Sequence, residues 1–334
     1  MNRHAQGLCG ETWVITEGAA GMENQCLGLA EHLPLPVRIF RVHLTAPWAW
    51  LAPYAIGSVF QHLTPASDRP APPWPRLLIA CGRQSIPVSL AVKRASGGRT
   101  TTIQCQDPRI GPENFDLVIP PEHDAIAGEN VFPIIGSPNR ITPARLAEAR
   151  EQFAGNFAQL RRPSVAALIG GRSRTHGNLE VPAAERLGRL LSKITAGCGL
   201  MVSTSRRTSE PAARLLRGSL EGTDSWFWDD AGPNPYLGML AWADAFVVTA
   251  DSVNMICEAA TTGKPVHVFP LAGGRRKARA FRESLQQRGI IRVFSGQIQQ
   301  WSYSPLDESA RAAARIKALL DARTTAADMT IQGP

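Results

Sequence analysis

The chain has 334 residues, 44% hydrophobic and 19% charged, with 36 basic against 28 acidic side chains and a formal net charge of +8. That length gives room for two domains with their own cores, and the composition excludes fibrous and disordered classes. Only five of the basic residues are lysine (Lys93, Lys193, Lys264, Lys277 and Lys317), so arginine carries the excess; its planar fork suits phosphate and carboxylate and points to anionic partners.

Residues 1–10 lack the apolar segment of a signal peptide, and no window reaches the roughly 18–20 uncharged apolar residues of a spanning helix, so a cytoplasmic protein is expected. Strands are predicted at 12–16, 37–44, 77–80, 101–105 and 116–119, with helices at 23–33 and 86–96. Such alternation is the signature of a parallel sheet covered by helices on both faces. The segment 46–60, with Trp48, Trp50, Tyr54 and Phe60, is broken by Pro47 and Pro53 and reads either as a packed core helix or as an interfacial patch. A basic proline break at 161–163 opens a second series: strands at 165–169, 200–204, 225–228, 245–249 and 266–269, helices at 183–196, 210–216, 236–243, 252–262 and 277–288. The expected architecture is α/β, with two Rossmann-like doubly wound parallel-sheet domains, 1–162 and 163–306, facing a cleft. A C-terminal helix at 307–323 and a flexible tail at 324–334 follow. Cys9, Cys26, Cys81, Cys105, Cys198 and Cys257 are scattered without a CxxC and read as reduced core thiols.

Ligands of open α/β sheets bind outside the carboxyl ends of the strands, which directs attention to the loops there. Familiar nucleotide motifs fail: Gly197-Cys198-Gly199 has Val202 at the third glycine position, and Gly263-Lys264 is followed by Pro265 with Glu258 at the first glycine position of a P-loop. There is no DxD, no HExxH and no paired ligand spacing, so neither metal nor cofactor is expected. Three segments carry chemistry. Gly170, Gly171, Arg172 and Ser173, with Arg174 and Thr175 beyond, follow a strand and read as a phosphate cradle or a plain glycine turn. Ser205, Arg206 and Arg207 end the next strand, where Thr208 or Ser209 would cap a helix. Asp251 or Ser252 would cap the helix that carries Glu258, a carboxylate able to accept both protons of a ribose diol.

Taken together, these segments resemble the donor-nucleotide signature of GT-B glycosyltransferases. More specifically, the chain resembles the mitochondrial fission (elongated mitochondria) family from about residue 12 to about 295. The resemblance is carried by Gly21-Met22-Glu23-Asn24-Gln25, by Gln104-Cys105-Gln106-Asp107-Pro108-Arg109, by Pro121-Glu122-His123-Asp124, by Thr204-Ser205-Arg206-Arg207-Thr208, by Gly232-Pro233-Asn234-Pro235-Tyr236 and by Thr249-Ala250-Asp251-Ser252-Val253. Ala19-Ala20 and Cys81-Gly82-Arg83-Gln84-Ser85 depart from its pattern. The resemblance implies a metal-independent glycosyltransferase whose second domain binds a nucleotide-sugar donor through Gly170, Gly171, Arg172, Ser173, Ser205, Arg206, Arg207, Asp251, Ser252 and Glu258. The general base is then sought among Glu17, Glu23, Asp107, His123 and Asp124, with Asp107 favoured and Glu23, Asn24 and Asp124 on the acceptor side. The expected acceptor is a cell-envelope glycan or a lipid-linked sugar, with peripheral contact to an anionic membrane and no nucleic acid as partner. The alternatives are a sugar-nucleotide epimerase or hydrolase of the same architecture, and a non-catalytic recruiting protein.

Overall fold

A computed structural model describes residues 8–331 apart from 55, 56, 58, 174, 175 and 229. Arg174 and Thr175 of the predicted glycine loop, and the end of the predicted tail, thus lie outside the described residues. The chain divides into two units, Met1–Arg140 with Asp307–Pro334, and Ile141–Leu306.

The first unit contains β1 (Cys9–Thr16), α1 (Ala20–Ala30), β2 (Val37–Arg41), α2 (Trp48–Leu51), β3 (Pro75–Cys81), α3 (Ser85–Ala95), β4 (Thr101–Cys105) and β5 (Leu117–Ile119). Its parallel sheet has the order β2-β1-β3-β4-β5. Successive side chains of a strand point to opposite faces, and the core divides accordingly. Val14, Leu77, Ile79, Cys81, Ile103 and Cys105 lie with Cys26, Leu29 and Ala30 of α1, whereas Trp13, Ile15, Leu78 and Ala80 lie with Val88, Ala91 and Val92 of α3.

The second unit contains α4 (Pro143–Gln152), α5 (Ala154–Phe157), β6 (Ser164–Ile169), α6 (Val181–Ile194), β7 (Gly199–Thr204), α7 (Glu210–Gly218), β8 (Ser225–Phe227), α8 (Tyr236–Trp242), β9 (Ala245–Thr249), α9 (Val253–Thr261), β10 (Val266–Phe269), α10 (Arg276–Gln287) and β11 (Ile291–Val293). The order β11-β10-β9-β6-β7-β8 is that of a Rossmann sheet. Every residue of β6, β9 and β10 is buried, as a strand covered on both faces requires. In α6 the buried Ala184, Leu187, Gly188, Leu191 and Ile194 recur at helical spacing as one stripe, with Gly188 against Leu215 and Ser219 at the end of α7.

The division at Arg140 and Ile141 replaces the expected break at 161–163. Proline and arginine at 161–163 mark a loop, but α4 before it already belongs to the second unit. The Arg150 guanidinium donates to Ala241 O at 3.1 Å, Trp242 Nε1 donates to Arg150 O at 2.8 Å, and Gly238 of α8 lies against Phe153 with no space for a Cβ. The C-terminal helix α11 (Glu308–Ile331) returns to the first unit, where Ala312, Ala313, Ile316 and Leu320 cover the α1 face of the sheet. It continues through the segment expected as a tail. Strand β2 stops at Arg41, short of the predicted residue 44, and β11 was not predicted. All six cysteines are free thiols, as expected. Among the described residues no helix is long and apolar enough to cross a membrane.

Candidate functional site

Strand order reverses between β6 and β9, the place where open α/β sheets bind their ligands, and the loops after β6, β7 and β9 meet at the carboxyl ends there. Asp251 is the knot between them. Its side chain is 0% exposed, and its carboxylate accepts from the Gly171 amide at 2.9 Å and the Thr249 hydroxyl at 2.7 Å while pairing with Arg207 Nη1 at 3.0 Å. Arg207 also donates to Arg172 O at 2.8 Å, and the Thr208 hydroxyl donates to Gly170 O at 2.5 Å. Ser205 accepts from the Arg207 amide, closing the second loop on itself.

The backbone amides of the glycine loop, residues 170–173, are all taken by partners within the second unit. Gly170 N donates to Thr249 Oγ1, Gly171 N to Asp251, Arg172 N to Arg207 O and Ser173 N to Asn178 Oδ1. Each is satisfied inside the protein, so an anion would meet the exposed side chains of Arg172 and Arg206 instead of a ring of amides. The glycines have another cause. A Cβ on Gly170 would stand 2.1 Å from the Asp251 carboxylate, and one on Gly171 would stand 1.9 Å from Arg207 O. Gly171→Ala is therefore expected to cost about 1–3 kcal/mol of stability, since its obstacle is backbone that no rotamer change removes. Gly218→Ala at the end of α7, with nothing within 4 Å of the new methyl, should instead gain about 0.5–1 kcal/mol. Chemical denaturation of both variants checks the contrast, and equal effects would refute it.

Of the two predicted caps it is Ser252 that opens α9, its hydroxyl accepting from the Met255 amide. Asp251 is turned away to the other loops. Glu258 lies in the second turn of α9, only 9% exposed, and accepts a 2.5 Å hydrogen bond from the Tyr236 hydroxyl. Tyr236 opens α8, where Asn234 Oδ1 accepts from its amide. Burial pushes the Glu258 carboxyl up to about 7, outweighing the Tyr236 hydrogen bond, which lowers it. The Tyr236 hydroxyl is pushed well above its ordinary range, first by burial and then by the Glu258 charge. Tyr236 was legible only as part of a motif, because its partner is 22 residues away on another helix.

The candidates of the first unit all lie at the carboxyl edge of its sheet. Glu17 stands at the strand-order reversal between β1 and β3, and both of its oxygens are engaged by Gln84, through the backbone amide at 2.9 Å and the side-chain amide at 3.1 Å. Gly82 (φ +110°) is required beside it, since a Cβ there would stand 2.6 Å from Glu17 Oε1. Glu23 is bound in a two-pronged pair with Arg41 at 2.9 and 3.0 Å, and Asn24 follows it on α1, half-buried. Asp107 follows β4 between Gln106 (φ 68°) and Arg109 (φ 58°), two non-glycine residues in the left-handed region, and accepts from the Arg109 amide at 2.8 Å. His123 and Asp124 lie in the 3-10 turn after β5, half-buried. In the 46–60 segment the described aromatic residues divide between core and surface. Trp48 packs against His62 and the core, while Trp50 is 76% and Tyr54 68% exposed. Arg83 fastens the segment by donating to the carbonyls of Ala49, Trp50 and Ala52, and the Tyr54 hydroxyl donates to Arg109 O.

Two parallel α/β units, each with its candidate residues at the carboxyl ends of its strands and the second carrying a buried glutamate on the helix after the switch-point loop, define a protein of the GT-B fold class. The UDP-GlcNAc 2-epimerase of Methanocaldococcus jannaschii has this fold, with a TM-score of 0.54 and 12% identity over 92% of this chain and 99% of that one. Os79 of O. sativa, solved with a trichothecene, has it at a TM-score of 0.50 and 15% identity over 93% and 94%. The chain belongs to the mitochondrial fission ELM1 family, whose profile matches residues 20–320. Mitochondrial fission protein ELM1 of Arabidopsis thaliana is 34% identical over 277 residues, 75% of this chain; the match spans 65% of the plant protein's length, just under two thirds.

Proposed function

We propose that the chain is a metal-independent glycosyltransferase whose second unit binds a nucleotide-sugar donor. The observation that carries this reading is Glu258, a buried carboxylate on the helix that leaves the β9 switch-point loop, in a unit whose β6 and β7 loops carry the exposed Arg172 and Arg206. A ribose diol would donate to Glu258 while the Arg172 and Arg206 guanidinium groups meet the diphosphate and offset the charge that develops on it as it leaves. Arg207 acts one step back, fixed by Asp251. The M. jannaschii epimerase has been solved in complex with UDP-GlcNAc and UDP, which supports a nucleotide sugar as the ligand of this fold class.

The first unit would supply the general base and receive the acceptor. Asp107 is the preferred base, because it follows an apolar strand at the carboxyl edge of the sheet, in a loop set by the left-handed Gln106 and Arg109. Glu17 and Glu23 are engaged with Gln84 and Arg41, leaving them as supports of the loops that bear the acceptor. Exposed Trp50, Leu51 and Tyr54, on a segment clamped by Arg83, would touch a membrane interface that presents a lipid-linked acceptor.

The test is a thermal-shift panel of uridine, guanosine, adenosine and cytidine diphosphates and their sugar conjugates. A ligand present at 100 times its dissociation constant adds about 2.7 kcal/mol of stability. Glu258→Gln should weaken the binding nucleotide by about tenfold to a hundredfold, as expected for loss of a hydrogen bond to a charged group. A panel with no response, or a variant with unchanged affinity, would refute the donor site.

A further inference from the structure

We propose that Tyr236 is the positioning residue of the ribose site: its hydroxyl holds the Glu258 carboxylate as an ionised acceptor for the diol and thereby sets the pH range over which nucleotide binds. This rests on the nucleotide reading above and goes beyond it.

Tyr236 is fixed at the first residue of α8, with its amide on Asn234 and its hydroxyl 2.5 Å from Glu258 Oε2. An ionised carboxylate has about four acceptor positions, enough for the phenol and for both hydroxyls of a diol. A protonated carboxyl brings a donor of its own and cannot serve all three. The Tyr236 hydrogen bond favours the ionised form while burial opposes it, so removing the hydroxyl leaves burial unopposed.

Other ionisable groups around α9 are already committed. β9 contributes none, and on β10 the buried His267 ring lies between Phe246 O and the Gln299 amide. Tyr303 donates to the carbonyls of Ala260 and Lys264, and Lys264 Nζ donates to Leu240 O and Ala241 O at the far end of α8. Cys257 is the immediate chain neighbour and acts on Tyr236, not on the carboxyl. Tyr236 is therefore the polar contact through which the protein controls the charge of Glu258.

The experiment measures dissociation constants from pH 5.5 to 8.5 for whichever of the four nucleoside diphosphates binds tightest. Its 2′,3′-dideoxy analogue runs in parallel, against the wild type, Tyr236→Phe and Glu258→Gln. In the wild type, the affinity advantage of the diol-bearing nucleotide over the dideoxy analogue should fall about tenfold per unit below pH 7. In Tyr236→Phe the midpoint should move up by about one to two pH units, and in Glu258→Gln the advantage should be small at every pH. The dideoxy arm subtracts titration of the ligand's own phosphate. Should Tyr236→Phe fail to fold, the wild-type comparison still decides: a diol advantage that does not vary with pH overturns the proposal. A Tyr236→Phe profile superimposable on the wild type overturns it while leaving the nucleotide site standing. Failure of every nucleotide to bind wild-type protein removes the site and this inference together.

Discussion

Asp251→Ala is expected to destabilise the second unit by about 3–5 kcal/mol, the largest effect of any single substitution at the switch point. The carboxylate is fully enclosed, and its removal leaves the Gly171 amide and the Thr249 hydroxyl as buried donors without an acceptor, each costing about 1–3 kcal/mol. Arg207 loses its partner as well, but its side chain is 42% exposed and regains water, so that contribution is small. Asp251→Asn should cost less, because one carbonyl oxygen still accepts. Urea denaturation measures the loss, and hydrogen exchange at the amides of residues 170–173 locates it. A variant within 1 kcal/mol of the wild type, or with those amides still protected, would show that the three loops are held by something else.

The same residue marks the limit of what the sequence discloses. Strands β6, β9 and β10 of the second sheet are legible as short aliphatic runs because each is buried on both faces, whereas β11, with two of its three residues exposed, is not. The loops that follow them could be located for the same reason. What those loops do depends on partners far along the chain: Gly171 and Asp251 are 80 residues apart, and Arg172 and Arg207 are 35. An aspartate before a helix reads as a cap under any local rule, and two glycines after a strand read as room for a phosphate. Tertiary contacts reassigned both, the aspartate to the glycine loop's amide and the glycines to the aspartate and the Arg207 carbonyl. In the first unit, likewise, the hydrogen bonds that hold both oxygens of Glu17 come from Gln84, 67 residues along the chain. The domain boundary was misplaced because α4 buries little beyond Ala149 and so shows no apolar stripe, although its backbone and arginine reach α8. Alternation, burial and spacing are local properties; hydrogen-bond allegiance is not.

The second large effect is a pH dependence of stability that needs no ligand to observe. Glu258 is pushed from an ordinary value of 4.5 up to about 7, so the folded protein holds its proton across a range in which the unfolded chain has released it. Unfolding then releases a proton, and stability falls as pH rises through that window. Its contribution is fully present below pH 4.5 and lost above about 7, a difference of about 3 kcal/mol at 1.36 kcal/mol per pH unit. His267 works in the opposite direction, since burial lowers it from 6.5, so stability rises with pH in the window below that value and levels off above it. Lys264, lowered to about 8, adds no slope below pH 7. Glu258→Gln removes the first contribution and leaves the other two, so the difference between variant and wild type isolates it. That difference should shift in favour of the variant by about 3 kcal/mol between pH 4.5 and 7.5, followed by denaturant unfolding at each pH. A difference that stays constant over this range would mean that Glu258 is ionised in the folded protein well below pH 7, and the buried carboxyl beside Tyr236 would then be a permanent anion.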